Sequence, residues 1–173
     1  MHHWNQKQIL YDQATRVPLI VAWPEVTRMQ VCDELVSTAL DIPVTILDFI
    51  GADKPMSMPG LSLRPIVLGR QNTLNRQHII VETMFARGGK SLGLIGRMVR
   101  SVHYKYCIYD NGERREQLFD MDADPGEMTN LAVDAAHEDQ LNRHRRLLIE
   151  WAKQTKDNGF PYIAPATGSR RQR

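Results

Sequence analysis

Apolar residues first cluster at residues 17–23, VPLIVAW, a continuous run between Arg16 and Pro24. A run with no polar face is the pattern of a strand covered on both sides, as in a parallel sheet. Pro18 suits the start of such a strand better than its centre. The period then changes. Leu40, Val44, Leu47 and Ile50 recur at three- and four-residue spacing, with Asp41 and Asp48 off the stripe, which predicts a helix over residues 35–50. Pro43 fits its first turn, Asp41 its cap and Gly51 its end. Residues 52–65 hold Pro55, Pro59, Gly60 and Pro65 and read as an irregular loop. Residues 77–84, QHIIVETM, are the second buried-strand candidate, followed by the turn Arg87-Gly88-Gly89-Lys90.

From residue 97 the pattern becomes antiparallel. Residues 97–109, RMVRSVHYKYCIY, partly alternate and are rich in Val, Tyr and Ile. Asn111-Gly112 is a strong hairpin signal, because both residues tolerate positive φ. Residues 117–121, QLFDM, are the returning strand, and Asp124-Pro125-Gly126 is a turn. A helix is expected over residues 137–156, with Leu141, Leu148, Trp151 and Ala152 as its apolar stripe. The run Arg143-His144-Arg145-Arg146 reads as a solvated face. Tyr104, Tyr106, Tyr109 and Phe119 read as cross-strand packing.

The expected fold class is α/β. Residues 1–92 would be part of a sheet domain, residues 93–158 a small antiparallel sheet packed with a C-terminal helix, and residues 159–173 a loose basic tail. Two strands cannot bury both faces of a sheet, so the first region is expected to be incomplete. It should leave apolar surface near residues 17–23 and 79–84.

Composition narrows the partners. The chain has 173 residues, 42% hydrophobic and 24% charged, which is globular rather than disordered. Lys and Arg number 22 against 20 Asp and Glu, a net charge of +2. The signs are interspersed, so no nucleic acid partner is expected. No apolar stretch approaches the ~20 residues that span a bilayer, and the polar start MHHWNQK is no signal peptide. Cys32 and Cys107 make neither a disulfide framework nor a zinc site. Compartment and oligomeric state are left open.

Several motifs, in order, carry a resemblance. Lys7-x-x-x-Tyr11-Asp12-x-x-x-Arg16-Val17-Pro18 and Trp23-Pro24 come first. Residues 40–48, LDIPVTILD, and Met58-Pro59-Gly60-Leu61-Ser62-Leu63 follow. Arg97-Met98-Val99-Arg100, Tyr104-Lys105-Tyr106, Gln117-Leu118-Phe119-Asp120 and Asp124-Pro125-Gly126-Glu127-Met128-x-Asn130-Leu131 close the series. Together, over about residues 4–155, they resemble the C-terminal half of sulfatases. The resemblance implies an alkaline-phosphatase-like fold. It also implies hydrolysis of a sulfate ester by a formylglycine on a divalent metal, usually calcium. A sulfate monoester is anionic and its leaving oxygen gains charge, so the reaction needs a metal, cations and an acid.

The same resemblance marks what is missing. The family's nucleophile lies in Cys/Ser-x-Pro-x-Arg. Ser57-Met58-Pro59-Gly60-Leu61 has Leu where Arg is needed, and neither cysteine qualifies. The family's metal-binding aspartates precede the part present here, so no cofactor is expected on this chain alone, and calcium and formylglycine are expected in the full-length family. Asp120, Asp122 and Asp124 read as a solvated hairpin end. His2 and His3 read as incidental and His144 as surface. Lys7 is the one catalytic residue the resemblance carries over, as a cation on the sulfate group. His103 and Lys105 are expected at the substrate-binding rim, or else on an ordinary exposed strand face. Arg16 is expected to orient its segment through a carboxylate, with Glu82 a candidate partner for such an arginine.

The chain is thus expected to be a sulfatase fragment, inactive alone, whose sulfate ester substrate requires the absent N-terminal half. Relatives are often exported. The alternatives are a non-catalytic binding module, or part of a phosphate or phosphonate ester hydrolase of the same fold.

Overall fold

The computed structural model describes residues 9–27, 29–84, 86–87, 90–91, 95–110 and 112–157. In chain order the elements are α1 (Asp12–Thr15), α2 (Thr38–Phe49), α3 (Arg64–Val67), β1 (His78–Thr83), β2 (Ala86–Arg87), β3 (Lys90–Ser91), β4 (Gly96–Ser101), β5 (Tyr104–Tyr109), β6 (Glu116–Asp120) and α4 (Glu138–Thr155). The fold is mixed α/β. It divides within β1: Val17–Ile79 is one compact unit, and the described parts of Met1–Arg16 and Ile80–Arg173 form the other. The residues before Val17 group with the antiparallel sheet.

That sheet has the strand order β1-β4-β5-β6, with β4 antiparallel to β5 and β5 to β6. Alternation sends Val99, Tyr106, Ile108 and Leu118 to one face, where Leu141 and Leu148 of α4 cover them. The opposite parity, Met98, Cys107 and Tyr109, packs with Leu10. A sheet covered on both faces explains why residues 104–109 alternate only partly. Each fully buried apolar side chain here stabilises the sheet by roughly 1.5–3 kcal/mol.

Residues 97–109 are two strands, not one. A two-residue turn, Val102 and His103, separates β4 from β5, whose last register pair is Arg100 with Lys105. No Gly or Asn announces it. Side chains hold it instead: the Arg100 guanidinium donates to the Ser101 carbonyl, and to the Val102 carbonyl at 2.8 Å. The Ser101 hydroxyl donates to the Tyr104 carbonyl at 3.0 Å. The β5–β6 connection closes with Tyr109 N–H on the Arg115 carbonyl at 2.9 Å, and Gly112 there has φ +114°. Asn111 lies outside the described residues.

α4 begins and ends within a residue of expectation, but its buried row differs. Leu141, His144, Arg145 and Leu148 are all buried, as positions three, four and seven apart on one helix face must be. His144 is therefore not a surface residue. Its Nδ1 lies 2.7 Å from the Gln140 carbonyl and its Nε2 2.9 Å from the Ser101 hydroxyl. Arg145 grips Glu116 with both Nε and Nη2, and Glu116 also accepts the Tyr106 hydroxyl at 2.7 Å. Burial pushes the Glu116 carboxyl up, but Arg145 and Tyr106 outweigh it and hold it below the usual carboxylate range. Only Arg143 and Arg146 of the basic run are solvated.

In the Val17–Ile79 unit, residues 17–23 do not form the expected strand. Val17, Leu19, Ile20, Val21 and Trp23 are exposed, Ile20 by 87%. A strand buried on both faces needs neighbours to take its backbone groups, and the described residues supply none. Met84, at the end of the other candidate, is also exposed.

α2 is the helix expected, with a different buried face: Asp41, Val44 and Thr45 rather than Leu40 and Ile50. Asp41 is no N-cap. It lies inside the helix and accepts the Ser37 N–H at 2.7 Å, while Pro43 falls in the second turn. The reason is the loop that follows. Asp41 Oδ1 accepts Leu61 N–H at 2.8 Å, Thr45 Oγ1 accepts Leu63 N–H at 2.9 Å, and Asp48 accepts the Ser62 hydroxyl at 2.5 Å. Three polar side chains one turn apart thus hold the loop on the helix, two through its backbone and one through Ser62. A Cβ at Gly60 would stand 2.0 Å from the Leu40 carbonyl oxygen, so only glycine fits. Arg76 clamps Asp41 from its other side at 2.5 and 2.7 Å.

Candidate functional site

Residues 9–16 lie across the sheet face opposite α4. Leu10 is buried among Met98, Cys107 and Tyr109, and its N–H donates to the Tyr109 hydroxyl at 3.0 Å. The Tyr11 ring packs at 5.9 Å on Phe119, and its hydroxyl accepts from Gln117 Nε2 at 3.3 Å. Asp12 opens α1, and its N–H donates to Glu127 Oε2 at 2.6 Å. Ile9 and Leu10, the Tyr11 ring and a ladder of polar contacts therefore fix a segment that local pattern marks as unremarkable.

Lys105 stands at the centre. Its side chain is fully buried, with Nζ 2.7 Å from Asp12 Oδ1 and 2.8 Å from Glu127 Oε1. Arg100, its register partner on the same face, carries a guanidinium that burial pushes below its ordinary pKa and that the charges of Asp12 and Asp122 support. Lys105 thus faces two carboxylates in a buried pocket, where an unpaired charge would cost several kcal/mol. Glu127 reaches this position with φ 55°, a left-handed conformation that costs an L residue roughly 1–2 kcal/mol.

Lys7, His2 and His3 lie outside the described residues, as does the 159–173 tail. His103 is in the β4–β5 turn, two-thirds exposed, with Nδ1 2.6 Å from Asp122 Oδ2. Lys105 is not on an exposed face, because residues 9–16 cover it. Arg16 is exposed, and Glu82 pairs with Arg97 at 2.9 Å instead. Asp12 and Glu127 lie inside the resembling motifs, which assign them no role. Their only sequence signal was position inside those motifs, since the contact between Asp12 and Lys105 spans 93 residues.

The acidic hairpin end is built for turns. Asp120 accepts the N–H groups of Asp122 and Ala123, each at 3.0 Å. Asp124 accepts Thr129 N–H at 2.7 Å. Asn130 accepts Leu118 N–H at 3.0 Å and donates to the Glu116 carbonyl at 3.0 Å, pinning residues 124–131 to β6.

Neither family cofactor fits the described residues. They bring together no group of His, Cys, Asp and Glu that could hold a metal. The Cys107 thiol is buried and pushed up to about 12 by that burial, so it is inert at neutral pH. Ser57 is exposed on a turn. The described chemistry is one of anchoring through buried ion pairs. No helix among the described residues is long and apolar enough to cross a membrane.

Comparison with known proteins agrees with this arrangement. Residues 1–154 match the family described as N-sulphoglucosamine sulphohydrolase, C-terminal. The chain is 34% identical over 160 residues to the Delta 4,5-hexuronate-2-O-sulfatase of Bacteroides thetaiotaomicron, a match over 91% of this chain and 33% of that protein. It is 30% identical over 138 residues to Arylsulfatase K of Homo sapiens, over 76% of this chain and 25% of that one. The chain thus spans a third or less of the relatives it matches. Among solved structures, a 2-O GAG sulfatase superposes with TM-score 0.69 at 32% identity, over 76% of this chain and 28% of that one. A phosphonate monoester hydrolase from Silicibacter pomeroyi gives TM-score 0.72 at 25% identity, over 90% and 32%. The matched region takes in residues 9–16, β4–β6 and the Glu127 turn alike, and the chain belongs to the sulfatase family as its C-terminal domain.

Proposed function

We propose that this chain forms the C-terminal part of a sulfate-ester hydrolase of the alkaline-phosphatase-like fold, and that it does not turn over substrate alone. In this reading residues 1–92 complete the α/β domain of the whole enzyme and residues 93–158 form its C-terminal subdomain. Lys7 is the cation that meets the sulfuryl oxygens, His103 is an exposed rim contact, and Lys105 enters the site through the segment it holds. Calcium and formylglycine belong to the part of the enzyme that precedes these residues. The observation that carries the reading is the anchoring of residues 9–16, directly after Lys7, by a buried ion cluster on the β4–β6 sheet.

The test is a chimera in which the full chain replaces the matching C-terminal third of the Bacteroides thetaiotaomicron 2-O-sulfatase. Sulfate-ester hydrolysis that Lys7→Ala abolishes supports the reading. A chimera that folds and hydrolyses equally well with Lys7→Ala overturns the assignment of Lys7. The likeness to a phosphonate monoester hydrolase favours one second reading, a phosphonate ester substrate. Preference of the chimera for an aryl phosphonate ester over an aryl sulfate would select it.

A further inference from the structure

We propose that Lys105 and Glu127 are positioning residues: a buried clamp that holds residues 9–16 on the sheet and so fixes where the chain emerges toward Lys7. The catalytic consequence rests on the proposed role of Lys7, while the clamp itself rests on geometry alone.

Three observations converge. First, Lys105 bridges Asp12 and Glu127 while both its own side chain and that of Glu127 are wholly buried. Such a lysine has no ammonium proton to offer a substrate in solvent. Second, Glu127 meets both the Asp12 backbone, at 2.6 Å, and the Lys105 ammonium. One carboxylate therefore ties the N-terminal segment to β5. Third, Glu127 takes this place in a left-handed conformation directly after Gly126, where the glycine would be the cheaper occupant. The side chain at that position is what the turn retains. Asp124 and Asn130 hold the two ends of the same turn, so Glu127 is presented from a rigid base. Leu10 and the Tyr11 ring also hold the segment on this face of the sheet. Its other face is closed by α4, and its strands are paired through the backbone.

The clamp therefore separates two effects that a merely structural lysine would join. Hydrogen–deuterium exchange on the full chain reads them directly. In Lys105→Met and, separately, Glu127→Gln, protection of peptides covering residues 9–16 should fall at least about tenfold more than that of β5. Equal loss in both regions, or loss in neither, overturns the clamp. In the chimera, Lys105→Met should lower kcat/KM, and the Lys7→Ala/Lys105→Met double variant should be no worse than Lys7→Ala. Additive losses would mean that Lys105 acts other than through Lys7 and would overturn the positioning role. If Lys7→Ala has no effect while the exchange result stands, the assignment of Lys7 fails and the clamp survives.

Discussion

At the residue scale, two positions of the Val17–Ile79 unit carry the sharpest expectations. Gly60 lies against the Leu40 carbonyl, with no room for a methyl group. Gly60→Ala should destabilise the chain by about 2–3 kcal/mol, as overpacking of a tight contact does, measured by urea denaturation. An unchanged midpoint would mean that the loop does not dock as described. Asp41 is the second. Burial would raise its carboxyl, but Arg76 and the N–H groups of Leu61 and Ser37 overcome that and leave it below 3.8. Its folded pKa is the lower one, so the unfolded chain takes up the proton first as pH falls. The stabilisation is complete above the unfolded value and is lost as pH drops through the folded value. Asp41→Asn should therefore lower the melting temperature near neutral pH and flatten its decline as the pH falls into the acid range. A variant whose acid decline matches wild type would remove Asp41 from that role.

At the element scale, α4 is tied to the sheet by more than its leucines. Arg145, Glu116 and Tyr106 form a buried polar link between helix and strands. Removing one partner leaves the other charge buried, so Arg145→Ala should cost about 3 kcal/mol. Tyr106→Phe, which removes one hydrogen bond and leaves Arg145 on Glu116, should cost about 1 kcal/mol. Thermal or urea unfolding distinguishes the two. Equal, small losses would show that Glu116 is effectively solvated. His144 completes the same interface, between the Gln140 carbonyl and the Ser101 hydroxyl. The helix thus reads the β4–β5 turn as well as the sheet face.

At the scale of the whole molecule, the chain carries sheet-forming sequence that it does not itself bury. Ile20 and Val21 are exposed in a run whose composition suits a covered strand. Ile20→Ser should change the melting temperature by little, in line with a surface site worth under ~0.5 kcal/mol, while reducing the fluorescence of an apolar-surface dye. A large loss of stability would show that residues 17–23 are packed. The purified chain should not hydrolyse an aryl sulfate with or without calcium, and metal-dependent turnover by the chain alone would refute the proposed division of labour.

Element types were largely legible in the sequence because they follow from local period. The α2 and α4 helices, the strand at residues 78–83 and the hairpin ending near Glu116 all lie where the pattern placed them. The motif order was legible too, and it led to the family that the comparisons show. What local pattern cannot carry is which groups meet across long separations. Lys105 looked like an exposed strand residue because the segment that covers it lies 93 residues away. Arg145 looked solvated because Glu116, its partner, is on another element. Residues 17–23 looked like a strand because composition records what a segment can bury, not whether neighbours are there to pair with it. Period 2 and period 3.6 are properties of the chain itself. Desolvation, ion pairing and strand pairing are properties of two segments brought together, and only the tertiary structure decides them.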